Sequence, residues 1–264
     1  MQIVDCHTHT LFSDGKSTVE QNVNAAQQRG VTTLACTDHL AHPSFMDCAI
    51  DEDHIDELSR EINRCRSAYP GIDIVFGFEA DWYEGCEKDI AAIRDDATFL
   101  LGSVHYLGEY AIDWLQDMRI WNEIGPDAVW KRYVDAWCRA CFCPIRFDAM
   151  AHPDLVRLFE KSGYAPTIDL EPLWDEMAEA AREANVRIEV STAGLRKELG
   201  EFYPAFPLLE RFRAAGVAIT VGSDAHQAQD VAAGIEAAFA YARRAGYTSV
   251  DVPTSDGDWR RLSL

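Results

Sequence analysis

The strongest constraint on this chain is a repeated alternation of short apolar runs with helical stretches. The runs are Gln2-Ile3-Val4, Thr32-Thr33-Leu34-Ala35-Cys36, Ile72 to Gly77, Thr98 to Gly102, Phe147 to Ala151, Val186 to Val190 and Val217 to Val221. The intervening helical patterns run from Ser17 or Thr18 to about Arg29, Asp51 to Tyr69, Asp127 to Arg139, Glu171 to Glu183, Pro207 to Ala215 and about Ala228 to Ala245. Gly30, Pro70-Gly71 and Gly216 supply the stops. Strands that alternate with helices are expected to lie parallel in one sheet. With about seven such units in 264 residues, and no linker rich in Pro, Gly or Ser, the expected fold is α/β: one domain over 1–264, a closed or nearly closed TIM-like (β/α)7 barrel. An open doubly wound sheet is the alternative.

Each run ends in residues of a different character. His7 and His9 follow the first run, and at i and i+2 of an extended chain they project from one face. Asp14 sits in a Ser-Asp-Gly turn just beyond. His39 follows the second run, Glu79 the third, His105 the fourth and His152 the fifth, while Asp224 and His226 follow the seventh. Six of the chain's eight histidines fall in this set. In a parallel barrel the C-terminal strand ends converge on the face that carries active sites. Any one of these histidines alone reads as an ordinary structural side chain. Together they point to a multinuclear divalent-metal site.

Charge narrows the partners. Lys and Arg total 24 against 44 Asp and Glu, a formal net charge of -20. That field repels nucleic-acid backbones and anionic membranes. No nucleic-acid or membrane partner is expected, although a local metal site can still seat a phosphate. No basic segment followed by an apolar run opens the chain, and no apolar stretch is long enough to span a bilayer. The eight scattered cysteines read as reduced thiols, so a cytoplasmic enzyme is the expectation.

The set HxH, Asp14, T-D-H at 37–39, Glu79, His105, His152 and G-S-D-A-H at 222–226 resembles the polymerase and histidinol phosphatase (PHP) superfamily. The phrases F-S-D-G, G-S-V-H, A-H-P-D-L-V-R and S-T-A-G-L-R-K make it more similar to that superfamily's monofunctional histidinol phosphatases, over Asp5 to about Gly234. The resemblance implies a distorted seven-stranded barrel holding three divalent ions (Zn, Mn or Fe). By the family's pattern His7, His9, Glu79 and Asp224 hold the first ion. Glu79 bridges to a second, held by His105 and His152, and Asp14, His39 and His226 hold the third. Three carboxylates against three divalent ions leave a local charge of about +3, a seat for a phosphate dianion. The nucleophile the resemblance implies is a metal-bridging water that loses its proton near neutral pH. The implied substrate is a small phosphate monoester, most closely L-histidinol phosphate, hydrolysed to L-histidinol and phosphate in histidine biosynthesis. Another small phosphate (a nucleotide or sugar phosphate) and a phosphoprotein are the alternatives. A metal-binding regulatory module without catalysis is a reading of another class, against which the nine intact ligand positions argue.

Arg157 and Arg196 fall on the same face, and a guanidinium fork matches phosphate oxygens. Similar positions in the histidinol phosphatases contact substrate phosphate, which the resemblance implies here. An ordinary salt-bridged arginine is the other reading of each. His42, just past His39, is a candidate for proton transfer or substrate contact, against a loop histidine with no role. Cys138, Cys141 and Cys143 form C-x-x-C-x-C, but with no fourth thiol nearby they read as buried or incidental. The segment from Tyr106 to Ile124, carrying Glu109, Asp113, Trp114 and Trp121, reads as a lid or specificity wall whose acids meet a substrate ammonium, or as core packing for the tryptophans.

Overall fold

Thr18 caps the first helix: its hydroxyl accepts from the Gln21 N–H while the Gln21 side chain accepts from the Thr18 N–H, a reciprocal capping box. A computed structural model describes residues 2–40, 48–93 and 97–264. His42 lies outside the described residues. The first half of the chain runs β1 (Ile3–Asp5), α1 (Val19–Gln28), β2 (Val31–Leu40), α2 (Ile55–Ala68), β3 (Asp73–Asp81), α3 (Glu87–Ile93) and β4 (Phe99–Ser103). A small hairpin of β5 (Tyr106–Leu107) and β6 (Tyr110–Ala111) precedes α4 (Arg119–Ile124) and α5 (Pro126–Cys141). The second half continues with β7 (Ala149–Met150), α6 (Glu171–Ala184), β8 (Arg187–Ser191), α7 (Phe206–Ala215), β9 (Ile219–Gly222) and α8 (Ile235–Arg244). It ends in an antiparallel hairpin of β10 (Ser249–Pro253) and β11 (Trp259–Ser263).

Seven strands form one sheet in the order β1-β2-β3-β4-β7-β8-β9, every pair parallel. The two edges meet. The Cys6 N–H donates to Val221 O at 3.0 Å, and Thr8 and Ala225 form a parallel bridge, so β1 and β9 close the barrel. The apolar runs face both the barrel interior and the helices, which is why they read as continuous rather than alternating. On α5 the buried Val129, Trp130, Tyr133, Val134 and Trp137 recur at three- and four-residue spacing and form one inward stripe. Trp121 is also core, its indole N–H donating to Ile112 O at 3.1 Å.

The structure departs from the sequence expectation at particular elements. The second and third strands are longer than their apolar runs: β2 includes Thr37, Asp38 and His39, and β3 includes Glu79 to Asp81. Polar side chains extend these strands because they point into a polar barrel mouth. The fifth strand shrinks to Ala149–Met150. The last helical stretch divides into a 3-10 turn, Ala228–Asp230, and α8, with Gly234 in a left-handed conformation (φ 81°) between them. The two hairpins, α3 and α4 lie outside the alternation of apolar runs and helical stretches.

Candidate metal centre

Glu79 sits at the centre of the barrel mouth. Its Oε2 lies 3.0 Å from His7 Nε2, 3.4 Å from His9 Nε2 and 3.2 Å from His39 Nδ1. Its Oε1 lies 2.8 Å from His152 Nε2 and 3.6 Å from His105 Nε2. One buried carboxylate therefore faces five imidazoles drawn from four strand ends, His7 and His9 both following β1. Asp224 Oδ1 approaches His9 Nε2 at 3.2 Å and His226 Nδ1 at 3.4 Å. Asp14 Oδ1 joins from the other side, 3.3 Å from His226 Nε2 and 3.8 Å from His39 Nε2. All nine candidates thus form one connected cluster.

Their electrostatics are those of a site that attracts positive charge. Burial opposes charge on Glu79 and Asp224, but nearby histidines, His7 foremost, hold both carboxylates well below their usual range. Burial likewise opposes charge on His105, yet Asp81 and Glu79 push it up to about 10. His226 is pushed up to about 9 by Asp224 and Asp14 against the same opposition. His9 goes the other way, to about 3, through burial and the neighbouring His226 and His39.

The donor set fits divalent metal. Ligand atoms of His9, Asp14, His39 and His226 lie within 4.8 Å of one another, as do those of His7, His9 and Asp224, and those of His39, Glu79 and His105. His9 and His39 thus each stand between two groups, where the family pattern assigns them to one. His7 Nε2 and His9 Nε2 face each other at 3.0 Å, and Nδ1 of both His9 and His152 is buried without a hydrogen-bond partner. Opposed imidazole nitrogens and orphaned ring nitrogens are what ligand geometry leaves when it, rather than hydrogen bonding, sets the rings.

A ring of buried acids, which sequence reasoning missed, holds the cluster in place. Asp5 accepts from the Ser223 N–H (2.8 Å), the Ser223 hydroxyl (2.6 Å) and the Ala232 N–H (2.7 Å), tying down the loop of Asp224 and His226. Asp38 accepts from the Thr10 N–H (2.7 Å) and the Ser13 hydroxyl (2.6 Å), anchoring the loop that carries Asp14. Asp81 Oδ1 lies 2.6 Å from His105 Nδ1. Glu189 Oε1 lies 2.9 Å from His7 Nδ1. The one available signal was a lone acid inside or beside each apolar run.

Beside the cluster opens a cavity of about 700 Å³ whose wall includes Lys16, Tyr106, Asp113, Trp114, Leu155 and Lys197. Asp113 and Trp114 belong to the segment read as a specificity wall, while Glu109 does not line the cavity. Neither arginine lines it among the described residues. Arg157 is buried and committed to carboxylates, 2.5 Å from Glu201 and 3.6 Å from both Asp154 and Glu160. Arg196 donates to the carbonyls of Ser223 (2.6 Å) and Asp224 (3.1 Å), so it braces the loop behind Asp224. Among the described residues, Lys16 and Lys197 are the lysine and arginine side chains on its wall. Of the cysteine motif, Cys143 faces Cys86, with sulfurs 3.7 Å apart and both thiols buried.

A family model described as the PHP domain matches residues 5–193. A probable histidinol-phosphatase of Deinococcus radiodurans is 29% identical over 238 residues, covering 87% of this chain and 88% of its own. A histidinol-phosphatase of Bacillus subtilis is 26% identical over 267 residues, covering 90% of this chain and 98% of its own. Among solved structures, a histidinol phosphate phosphatase from Lactococcus lactis, complexed with zinc, L-histidinol and phosphate, superposes with a TM-score of 0.83 at 21% identity, covering 98% of this chain and 99% of its own. No helix among the described residues is long and apolar enough to cross a membrane.

Proposed function

The chain belongs to the PHP-domain family, and from that premise we propose that it is a metal-dependent phosphomonoesterase hydrolysing L-histidinol phosphate to L-histidinol and phosphate. The observation that carries this reading is Glu79, one carboxylate within 3.6 Å of five imidazoles from four strand ends, beside a cavity with two lysines on its wall. The names of the relatives from Deinococcus radiodurans and Bacillus subtilis support the substrate.

The residues that would hold divalent ions are His7, His9, Asp14, His39, Glu79, His105, His152, Asp224 and His226, a carboxylate and imidazole set suited to three ions of zinc, manganese or iron. When bound, such ions supply positive charge for the phosphoryl oxygens and acidify nearby water. The chain's own side chains do the rest. Lys197 and Lys16 add cationic charge on the side where a phosphate enters. Asp113 opposes the substrate's ammonium, and Trp114, Tyr106 and Leu155 give its carbon skeleton and imidazole an apolar wall. No side-chain nucleophile is required. The test is release of inorganic phosphate by protein stripped with a strong chelator and then reloaded with Zn²⁺ or Mn²⁺. Hydrolysis should vanish on stripping and return on reloading, and hydrolysis that survives complete stripping would refute the metal dependence.

A further inference from the structure

Strand β8 contributes none of the nine candidate ligands, yet it places a fully buried carboxylate, Glu189, between His7 and His152. Its two oxygens do different things. Oε1 lies 2.9 Å from His7 Nδ1, and Oε2 accepts the backbone N–H of His152 at 2.9 Å. His152 has a positive φ of 23°, a conformation that disfavours any residue with a Cβ and persists only where surrounding contacts impose it. The neighbouring strand leaves room for this carboxylate. A Cβ at Gly222 would come within 2.1 Å of Glu189 Oε1 and 2.4 Å of His7 Cβ.

We propose that Glu189 is a positioning residue of the metal centre, fixing His7 with its proton on Nδ1 and its Nε2 free to ligate, while holding the strained turn that aims His152. This inference rests on the reading of the cluster as a metal site. The chemistry requires a carboxylate. Both groups facing Glu189 donate, and only two acceptor oxygens satisfy both. Glutamine has one. If its oxygen takes the His152 N–H, its amide N–H₂ meets His7 Nδ1 and favours the tautomer whose Nε2 carries the hydrogen and cannot ligate. Flipped over, the amide opposes the His152 N–H. Partners that orient a metal-ligating histidine through its other ring nitrogen typically matter 10–100-fold in metal affinity.

The test is Glu189→Gln on the full chain, stripped of metal and titrated with Zn²⁺ against a competing chelator, with ¹⁵N spectra of the histidine rings recorded on the stripped and loaded protein. Wild type should bind Zn²⁺, with His7 carrying its proton on Nδ1 in the loaded protein. E189Q should bind at least one ion about 10–100-fold more weakly and show a changed His7 ring signature, at a melting temperature close to wild type in the stripped state. Equal Zn²⁺ affinity and an unchanged His7 signature in E189Q would overturn the proposal. A wild-type chain that bound no Zn²⁺ would overturn the metal centre itself, and the ring signature of E189Q would still decide what Glu189 does to His7. Should E189Q not fold, a loaded wild type with His7 protonated on Nε2 would overturn the proposal, and one protonated on Nδ1 would support it.

Discussion

His7 Nε2 and His9 Nε2 stand 3.0 Å apart at the mouth of the barrel, both rings fully buried. Two imidazole nitrogens at that distance share one proton or one cation. Burial and the neighbouring His226 and His39 keep His9 neutral, while Glu189, Glu79 and Asp224 outweigh burial and raise His7 well above the usual histidine value, so without metal the proton rests on His7. Metal binding and proton release are therefore linked.

Loading should release protons. His105 and His226 are raised from 6.5 to about 10 and about 9, so at pH 8 both rings of the stripped protein are charged. Their contribution to the stripped protein's stability is fully present below about pH 6.5 and is lost as pH rises through about 9 to 10. Ligation needs neutral rings, so metal affinity rises with pH across the same window. Zn²⁺ titrations by calorimetry at pH 8, in two buffers of different ionisation enthalpy, should give different heats corresponding to release of at least one proton. Identical heats would contradict the linkage.

Glu79→Gln should remove the one group shared by five imidazoles. Bound metal should drop and phosphate release should fall by about a hundredfold or more, both in the same variant. Elemental analysis beside a phosphate assay checks this, and a variant with wild-type metal and rate would remove Glu79 from the centre.

Arg196 and Lys197 are adjacent but should fail differently. Arg196→Ala frees the carbonyls of Ser223 and Asp224 and loosens the loop presenting Asp224, whose φ of 52° is itself left-handed, so metal retention should weaken. Lys197→Ala removes a charge from the cavity wall, so KM should rise by about ten- to a hundredfold, a lost charge-assisted contact of roughly 1.5–3 kcal/mol, with metal content unchanged. The reverse pattern would place the phosphate contact on Arg196.

Gly222→Ala should be poorly tolerated for a reason that its small size hides. The added methyl meets Glu189 Oε1 and the His7 Cβ, both buried, so a loss of about 1–3 kcal/mol is expected together with weaker metal binding. Thermal denaturation with and without Zn²⁺ measures both, and a variant as stable as wild type would mean that Glu189 and His7 can retreat.

These contrasts show what sequence carries and what it hides. The nine candidate ligands were legible because each sits at or just beyond a locally recognisable apolar run, and a parallel barrel brings such ends together whatever its detailed register. Their supports were hidden because they act across the chain: Glu189 reaches His7 over 182 positions and Asp5 reaches Ser223 over 218. The local motif around Arg196 suggests a phosphate ligand and does not reveal that the carbonyls of Ser223 and Asp224 also lie within its reach. The β10–β11 hairpin was missed because its alternating valines, Val250 and Val252, follow the last helix and lie outside the strand–helix rhythm.

Steady-state kinetics on Zn²⁺- or Mn²⁺-loaded protein tests the substrate itself. Phosphate release should be compared across L-histidinol phosphate, AMP and a sugar phosphate. A cavity whose wall carries Asp113 for an ammonium and Lys16 and Lys197 for a phosphate would favour kcat/KM at least about tenfold higher for L-histidinol phosphate, a difference of about 1.4 kcal/mol in transition-state binding. Should AMP or the sugar phosphate exceed it by that margin, the phosphomonoesterase would stand and histidinol phosphate would not be its substrate. No phosphate released from any of the three by fully loaded protein would contradict the phosphatase itself.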